Sequence, residues 1–570
     1  MWYKKYFSYK HIFEISRTFM NISGKILGDP VFGCFFLGLS IFYSFILIFY
    51  GIDFSDTFFH LNVFKNIKLH PLTGLTSLIG IFWMKQFGDY LLSFRILNLL
   101  LLNLSIIIPF IFIVPKTQRL KNFFLLGIAI ILFATLNPNV FNYDSVTLFL
   151  LSFSSVWAIK YYQRGNISYL VAYGLFSALL ILARFPNIII LPLSIVILAL
   201  IEYQRENKDK KKFLIKYCKV TLLYLFVSVS FFVLILYILY GNMNEFFPRV
   251  VKSISGLGKH YTLKSLVWRY LFNFVRIFQY IAVIVLLNII GNRARVLSMK
   301  LKFVYIFFTL FLFSLFLRLE INIRNYNWEL SLFFSAICYA LLIHYAYYCF
   351  KKHANDFLIF TFILLGFSII PAMGSNTGLL KTSLFLLCYL PFLLLYLKKS
   401  QLLNNKLIYA MLSILVFFSI YTRMRNVYED SAITNLNCEL KSKSLQYIYT
   451  TKNRSDFIED VLSVIGTEKN KNHPILLYGK VSHIFYYLTN VTPLFGRSFF
   501  MPTDDTDEIA RLAEVVKNIR PVIFLIMDYP NKNNQNGKIE QNSKTQFEDL
   551  LLSYDYSVSV RNGFKVYYPE

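Results

Sequence analysis

Apolar stretches long enough to cross about 30 Å of hydrocarbon recur along the chain from about residue 31 to about residue 421. They lie near 31–50, 91–114, 121–136, 143–160, 167–183, 188–203, 218–240, 270–290, 302–318, 328–349, 356–371, 379–397 and 406–421. The pattern predicts a mainly α, polytopic transmembrane helix bundle of about 11–13 spans over residues 1–424. Residues 72–90 and 246–268 mix apolar and polar positions and are expected as helices in the interface plane or as loops packed on the bundle.

The pattern changes after about residue 425, where charged residues, Asn and Ser become frequent. Short apolar runs follow at Pro474–Gly479, Pro521–Asp528 and Phe564–Tyr568, and these read as buried strands. Thr506–Ile519 carries apolar residues at Ile509, Leu512, Val515, Val516 and Ile519, a helical period. Residues 425–570 are therefore expected to form a small soluble α/β domain. No nucleophile elbow, P-loop or complete GxGxxG occurs in it, so a structural or accessory role is its default.

Charge fixes the orientation. The connections Lys116–Lys121, Lys160–Arg164, Arg205–Lys219, Arg293–Lys302, Lys351–Lys352 and Lys398–Lys406 are all basic. With alternating spans they fall on one side, which the positive-inside rule makes the cytoplasm. The N-terminus is then cytoplasmic and the C-terminal domain extracytoplasmic. Charged residues make up 16% of the 570 positions, against roughly 25% in soluble proteins, and mean hydropathy is +0.53. The net charge of +27 is spread over short inter-span clusters, so it reports topology and excludes nucleic acid as the partner. The six cysteines offer neither a disulfide framework nor a CxxC metal pair. The first thirty residues show no apolar core ahead of a small-residue cleavage site. Richness in Phe, Ile, Lys and Asn points to an AT-rich bacterial genome, hence to the bacterial cytoplasmic membrane.

Candidate chemistry gathers at the outer ends of the spans. Asp53 and Asp56 stand three residues apart where the first span leaves the bilayer, and ionisable groups so close to hydrocarbon are costly unless used. Capping of a helix beginning at Thr57 is the plainer role for Asp56. The tip Asn137–Asp144 carries Asn142 and Asp144 into the next span, where capping competes with substrate contact. The tip Pro371–Gly378 offers Ser375, Asn376 and glycine-freed backbone amides that suit phosphate or sugar oxygens. His60 and His70 flank the acidic pair, but at a spacing that makes no metal set with it, so neither a metal nor any other cofactor is expected.

A first span, an acidic segment followed by aromatics, a Pro-Leu segment and a Gly-x₆-Arg stretch occur here as Asp53/Asp56, His70-Pro71-Leu72 and Phe87–Arg95. In that order they resemble the GT-C glycosyltransferases, in the branch of protein O-mannosyltransferases and lipid A aminoarabinose transferases. The resemblance covers the first 200 residues or so and the overall layout. It implies transfer of a sugar from a polyprenyl-phosphate donor to a glycan, lipid or protein acceptor, with membrane lipids as surroundings. The first-loop acid of the family maps onto Asp56; Thr57 stands where many members have a second acid, leaving Asp53 as orienting partner. Inverting transfer needs a base opposite the leaving group, worth roughly 10²–10⁴-fold in rate. The leaving phosphate needs cations. Arg95, Arg184 and Arg269 are the candidates, because a guanidinium binds phosphate oxygens bidentately. Arg184 stands out, since an outer-side Arg in so short a tip opposes the positive-inside bias; snorkelling to headgroups is the plainer role for each. A lipid-linked glycan ligase or polymerase and a lipid or solute transporter are the alternatives. The ligase usually depends on a large late outer loop with Arg and His, and the transporter on midplane charges and internal repeats.

Overall fold

The computed structural model describes residues 29–570 apart from 55, 66–70, 137–139, 207–208, 242–245, 247, 249, 252–262, 294–325, 352–354, 376, 401–404, 426, 428–429, 480, 494–505, 527–547 and 562. Helices stand at every proposed span except 302–318, which lies outside the described residues. In chain order the helices of the bundle are α1 (Pro30–Leu47), α2 (Asp56–Lys65), α3 (Gly74–Phe87), α4 (Leu91–Ile113), α5 (Phe123–Leu136), α6 (Tyr143–Arg164) and α7 (Ile167–Ala183). They continue with α8 (Ile190–Arg205), α9 (Lys210–Tyr240), α10 (Leu263–Arg293), α11 (Tyr326–Lys351), α12 (Asn355–Ile369), α13 (Thr382–Ser400) and α14 (Asn405–Arg425). Among the described residues eight helices are long and apolar enough to cross a membrane.

Local chemistry sets the helix ends. Asp29 accepts a hydrogen bond from the Val31 amide at 2.9 Å and Pro30 opens α1, a residue whose missing N–H costs nothing in the first turn. Asn142 caps α6, its Oδ1 accepting from the amides of Asp144 and Ser145. Gly165 closes α6 at φ 69°, its amide returning to Tyr161 O at 2.8 Å. The helices then sort by neighbour. Long α9 leaves Leu222, Phe226, Leu234 and Ile238 exposed, and α10 does the same with Trp268, Phe274 and Phe278. Apolar belts of that extent need lipid rather than water around them. In contrast α6 packs against α4 and α7 and is buried for most of its length. Its serines bond inward, Ser152 to Ser105 O at 2.9 Å and Ser154 to Ser177 at 3.3 Å, and Ser155 to Tyr389. They lower its hydropathy without exposing polar groups to lipid.

Within 72–90, expected as an interfacial helix or as a loop packed on the bundle, helix α3 forms, with Phe82 and Phe87 exposed. Much of 246–268 lies outside the described residues, and its last positions open α10. At the end of α6 away from Asn142, the buried Glu202 carboxylate accepts from Tyr161 at 2.7 Å and pairs with Arg205 at 2.8 Å and Lys216 at 3.2 Å. This network ties α6, α8 and α9 together.

The C-terminal residues form a small sheet with helices on both sides. A two-stranded pair, β1 (Cys438–Glu439) with β2 (Tyr449–Thr450), precedes a four-stranded sheet of β3 (Ile475–Tyr478), β4 (Val522–Leu525), β5 (Tyr556–Arg561) and β6 (Phe564–Pro569). The larger sheet runs in the order β3-β4-β6-β5, with β3 and β4 parallel and the other pairs antiparallel. Leu476, Tyr478, Ile523 and Leu525 pack on Leu512 and Val516 of α17 (Thr506–Ile519). The opposite face, with Leu477, Phe524 and Val566, joins α15 (Lys452–Asn470) and α16 (Ser482–Thr489) in a core continuous with the helix bundle. Burial on both faces explains why β3 and β4 read as unbroken apolar runs. Edge strand β5 is exposed along most of its length and α15 is amphipathic, so neither gives the short apolar run by which β3, β4 and β6 are legible in the sequence.

One acid stabilises α15 directly. Glu468 is buried at its side chain and pairs with Lys471 at 3.0 Å and His473 at 2.8 Å. Burial pushes its carboxyl up, but the hydrogen bonds and charges of Lys471 and His473 together outweigh that and hold it below the usual carboxylate range. A depressed folded-state value means the stabilisation is present above the unfolded-state value and lost as pH falls through the folded one. The melting temperature of the detergent-solubilised chain is therefore expected to fall more steeply for wild type than for Glu468→Gln as pH is lowered from about 5 to about 3. Parallel profiles would rule the contribution out.

Candidate functional site

The chain leaves α1 at Ile48 and turns through Gly51, at φ 77°, into the segment that carries the acidic pair. Gly51 is required twice: a side chain there would be strained, and its Cβ would meet Val427 at 2.9 Å. Asp53 is fully buried and its Oδ2 accepts from the Thr57 amide at 2.9 Å. The Asp53 carboxylate thus bonds the start of α2. Asp56 is the first residue of α2, four positions ahead of His60, a spacing that puts both on one helix face. The Asp56 side chain lies outside the described residues, as do His70 and Asn376.

His60 leads from α2 to a cationic cluster. Its ring meets Tyr143 edge-on, with centroids 5.0 Å apart. Tyr143 opens α6 and carries two cations near its ring: the Arg184 guanidinium at 4.9 Å and the Lys381 ammonium at 5.1 Å from the centroid. Arg184 donates to Pro371 O at 3.0 Å, and Lys381 pairs with Asp144 at 2.6 Å. Arg184 is 5% exposed, and among the described residues it forms no ion pair. Among the described residues one paired carboxylate, Asp144, therefore stands beside two cations, the buried Arg184 and the mostly buried Lys381, and the ring's π-face supplies only part of the balance.

The 370–381 tip is folded around these groups. Gly374 has φ 67°, and a Cβ on it would meet Pro186 at 2.7 Å, so glycine lets the tip seat against the 185–189 turn beside Arg184. From α10, Tyr270 donates to Ala372 O and Asn273 donates to Thr377 O at 2.9 Å. Arg269 on the same helix lies against Gly378, whose Cβ would come within 3.4 Å of its side chain. Ser375 and Thr377 share a hydroxyl hydrogen bond of 2.7 Å, and the Thr377 amide donates to Ser375 Oγ at 3.2 Å. Both Arg184 and Lys381 act electrostatically on the Tyr270 hydroxyl.

The structure therefore brings together His60, Asp144, Arg184 and Ser375, with Arg269 at the edge of the tip. Asn142 serves as the helix cap described above. Arg95 has a different setting: 2% exposed, it donates to Ile48 O and Gly51 O at 2.6 Å each and to Tyr50 O at 3.4 Å. Those bonds complete the free carbonyls at the end of α1 and hold the acidic segment. Lys381 is the residue the sequence reading passed over. It announced itself by the same signal as Arg184, a cation at the start of a span on the side away from the basic loops. Among the described residues no group of three or more His, Cys, Asp or Glu comes together that could hold a metal ion.

The C-terminal domain covers this end of the bundle. His483 of α16 is buried against Phe59, and Asn62 of α2 donates to His483 O at 2.9 Å. Tyr487 packs on Phe58 and donates to Asp89 O at 2.7 Å, while Ser444 donates to the Asp89 carboxylate at 3.1 Å. No protein-family model matches the chain, and no curated protein matches it.

Proposed function

We propose that the chain is a membrane glycosyltransferase that takes a sugar from a polyprenyl-phosphate carrier at the extracytoplasmic face and passes it, with inversion, to a glycan, lipid or protein acceptor. One observation carries this reading: Arg184 and Lys381 share the Tyr143 ring at 4.9 and 5.1 Å, and among the described residues Asp144, paired with Lys381, is the one carboxylate in an ion pair with either of them. Two cations brought this close repel, and burial makes the repulsion stronger. A phosphate in contact with them relieves it, and gains further as negative charge develops on the leaving group. The basic connections at the other ends of the helices support the extracytoplasmic placement.

In this mechanism Arg184 and Lys381 hold the phosphate, and Arg269 and the Ser375–Thr377 turn flank it. Asp144 keeps Lys381 oriented through the 2.6 Å pair. Asp56 takes the proton of the acceptor hydroxyl as that oxygen attacks the anomeric carbon and the carbon–phosphate-oxygen bond breaks. The phosphate leaves on the polyprenyl chain. Asp53, spent on the Thr57 amide, sets the start of α2. Arg95 shapes the same segment through its carbonyl bonds, and these support a positioning role for it in place of the phosphate contact expected from its position.

Arg184→Ala is expected to raise KM for the lipid donor by about tenfold to hundredfold, the worth of one or two charged hydrogen bonds. KM for the acceptor should move little. Steady-state kinetics on membranes holding equal amounts of each protein measures this, and a change confined to the acceptor would refute the assignment.

A further inference from the structure

Besides Arg95 and the Asp53–Thr57 bond, residues almost four hundred positions away hold the acidic segment. Ile52 lies between Gly51 and Asp53. Its N–H donates to Asp430 Oδ2 at 3.0 Å and its C=O accepts from Arg454 at 2.6 Å. Asp430 and Arg454 are themselves paired at 3.4 Å, with side chains 1% and 8% exposed. Thr450 donates to the same Asp430 oxygen at 2.6 Å, and the Arg454 guanidinium stacks 5.0 Å over Phe54. On the preceding residues, the Tyr449 amide donates to Phe49 O at 2.8 Å and the Gly51 amide to Tyr449 O at 2.9 Å. Residues 49–52 are thus bonded on both sides by the stretch 430–454, with Arg95 on the bundle side.

A buried ion pair is a poor way to glue two domains. Its desolvation cancels much of its attraction, and an apolar contact of similar volume is often as stable. Burial does raise the Asp430 carboxyl above its ordinary range, against Arg454, Thr450, the Ile52 amide and Arg95, which pull it down. What the pair supplies in return is direction: one acceptor for the Ile52 N–H and one donor for its C=O, which fix the two successive peptide planes that flank the Ile52 Cα.

We propose that Asp430 and Arg454 are positioning residues, a clamp by which the C-terminal domain fixes the backbone on both sides of the Ile52 Cα and so aims the Asp53–Asp56 segment for transfer. The C-terminal domain is then part of the catalytic apparatus without touching the reacting atoms. The kinetic arm of this inference rests on the proposed function; the structural arm does not. A misplacement of about 1 Å in a catalytic group costs on the order of 10²-fold in rate, so the clamp acts on kcat.

The test uses the full chain in lipid nanodiscs, with Arg454→Gln, Asp430→Asn and the charge-keeping Arg454→Lys. Hydrogen–deuterium exchange reads the loop, and turnover of tritium-labelled undecaprenyl-phosphate hexoses, with native membrane extract as acceptor, reads the chemistry. Arg454→Gln and Asp430→Asn are expected to speed exchange at residues 50–57 at least tenfold, with α15 and the four-stranded sheet as protected as in wild type. They should lower kcat by about tenfold to hundredfold while donor KM stays within about threefold, and Arg454→Lys should recover part of the loss. Unchanged exchange at 50–57 overturns the clamp. So does faster exchange throughout the C-terminal domain, which would make the pair a folding prop, and so does a donor KM that rises while kcat holds. If wild type turns over none of the probe, the functional reading fails, while the exchange result still decides whether the clamp holds the loop.

Discussion

Asp56→Asn is expected to reduce kcat by about 10²–10⁴-fold, the range that general-base assistance supplies, with little change in donor KM. The substitution keeps the size and polarity of the side chain and removes only its basicity. Asp53 bonds the start of α2 through the Thr57 amide at 2.9 Å, so the variant should insert and melt as wild type does. Turnover measured beside a thermal melt separates the two effects. Full activity in Asp56→Asn would remove the base from the mechanism, and loss of activity together with a collapsed melt would return Asp56 to a structural role.

The second large effect concerns Lys381. Removing one partner from a buried ion pair leaves the other uncompensated, at a cost of about 3–5 kcal/mol. The Lys381–Asp144 pair is only mostly buried, with side chains 18% and 10% exposed, so Lys381→Met should fall at or below the lower end of that range. The double variant Asp144→Asn/Lys381→Met removes both charges and should melt close to wild type. Donor binding should behave differently. It should be weakened in the single variant and stay weakened in the double, because the phosphate ligand is missing in both. Recovery of donor KM along with stability would mean that Lys381 matters only as a counter-ion for Asp144.

These cases show which parts of the molecule were legible in the sequence. Apolar length and basic loops marked the helices, since hydropathy is local and lipid rewards it uniformly. Arg184 was legible because a cation there opposes the charge bias of its surroundings. Lys381 obeys the same rule but follows the glycines of the 374–378 tip, and its partner Asp144 is 237 residues away. Asp430 and Arg454 were not legible at all. Their meaning lies in a bond to Ile52 across a separation of 402 residues, and nothing in the polar stretch after residue 425 distinguishes them from solvated charges. Arg95 shows the converse. It is expected at the donor phosphate, yet a buried guanidinium is as suited to backbone carbonyls as to phosphate, and here it meets the carbonyls of Ile48 and Gly51.

The sheet teaches a related point. Strands β3, β4 and β6 show in the sequence because both or most of their faces are covered, whereas β5 is an exposed edge that looks polar. The covering of α2 by α16 depends on aromatic contacts such as Phe58 with Tyr487, which any apolar helix of the chain has the composition to make.

The grip of Arg184 and Lys381 on an anionic lipid headgroup is most directly tested by equilibrium binding of undecaprenyl phosphate to the purified full chain in nanodiscs of zwitterionic lipid. Wild type should bind it, and more weakly as salt rises. Arg184→Ala should lose about tenfold or more in affinity, and undecaprenol, which lacks the phosphate, should not compete. Equal binding by wild type and Arg184→Ala, or equal competition by the alcohol, would contradict the account.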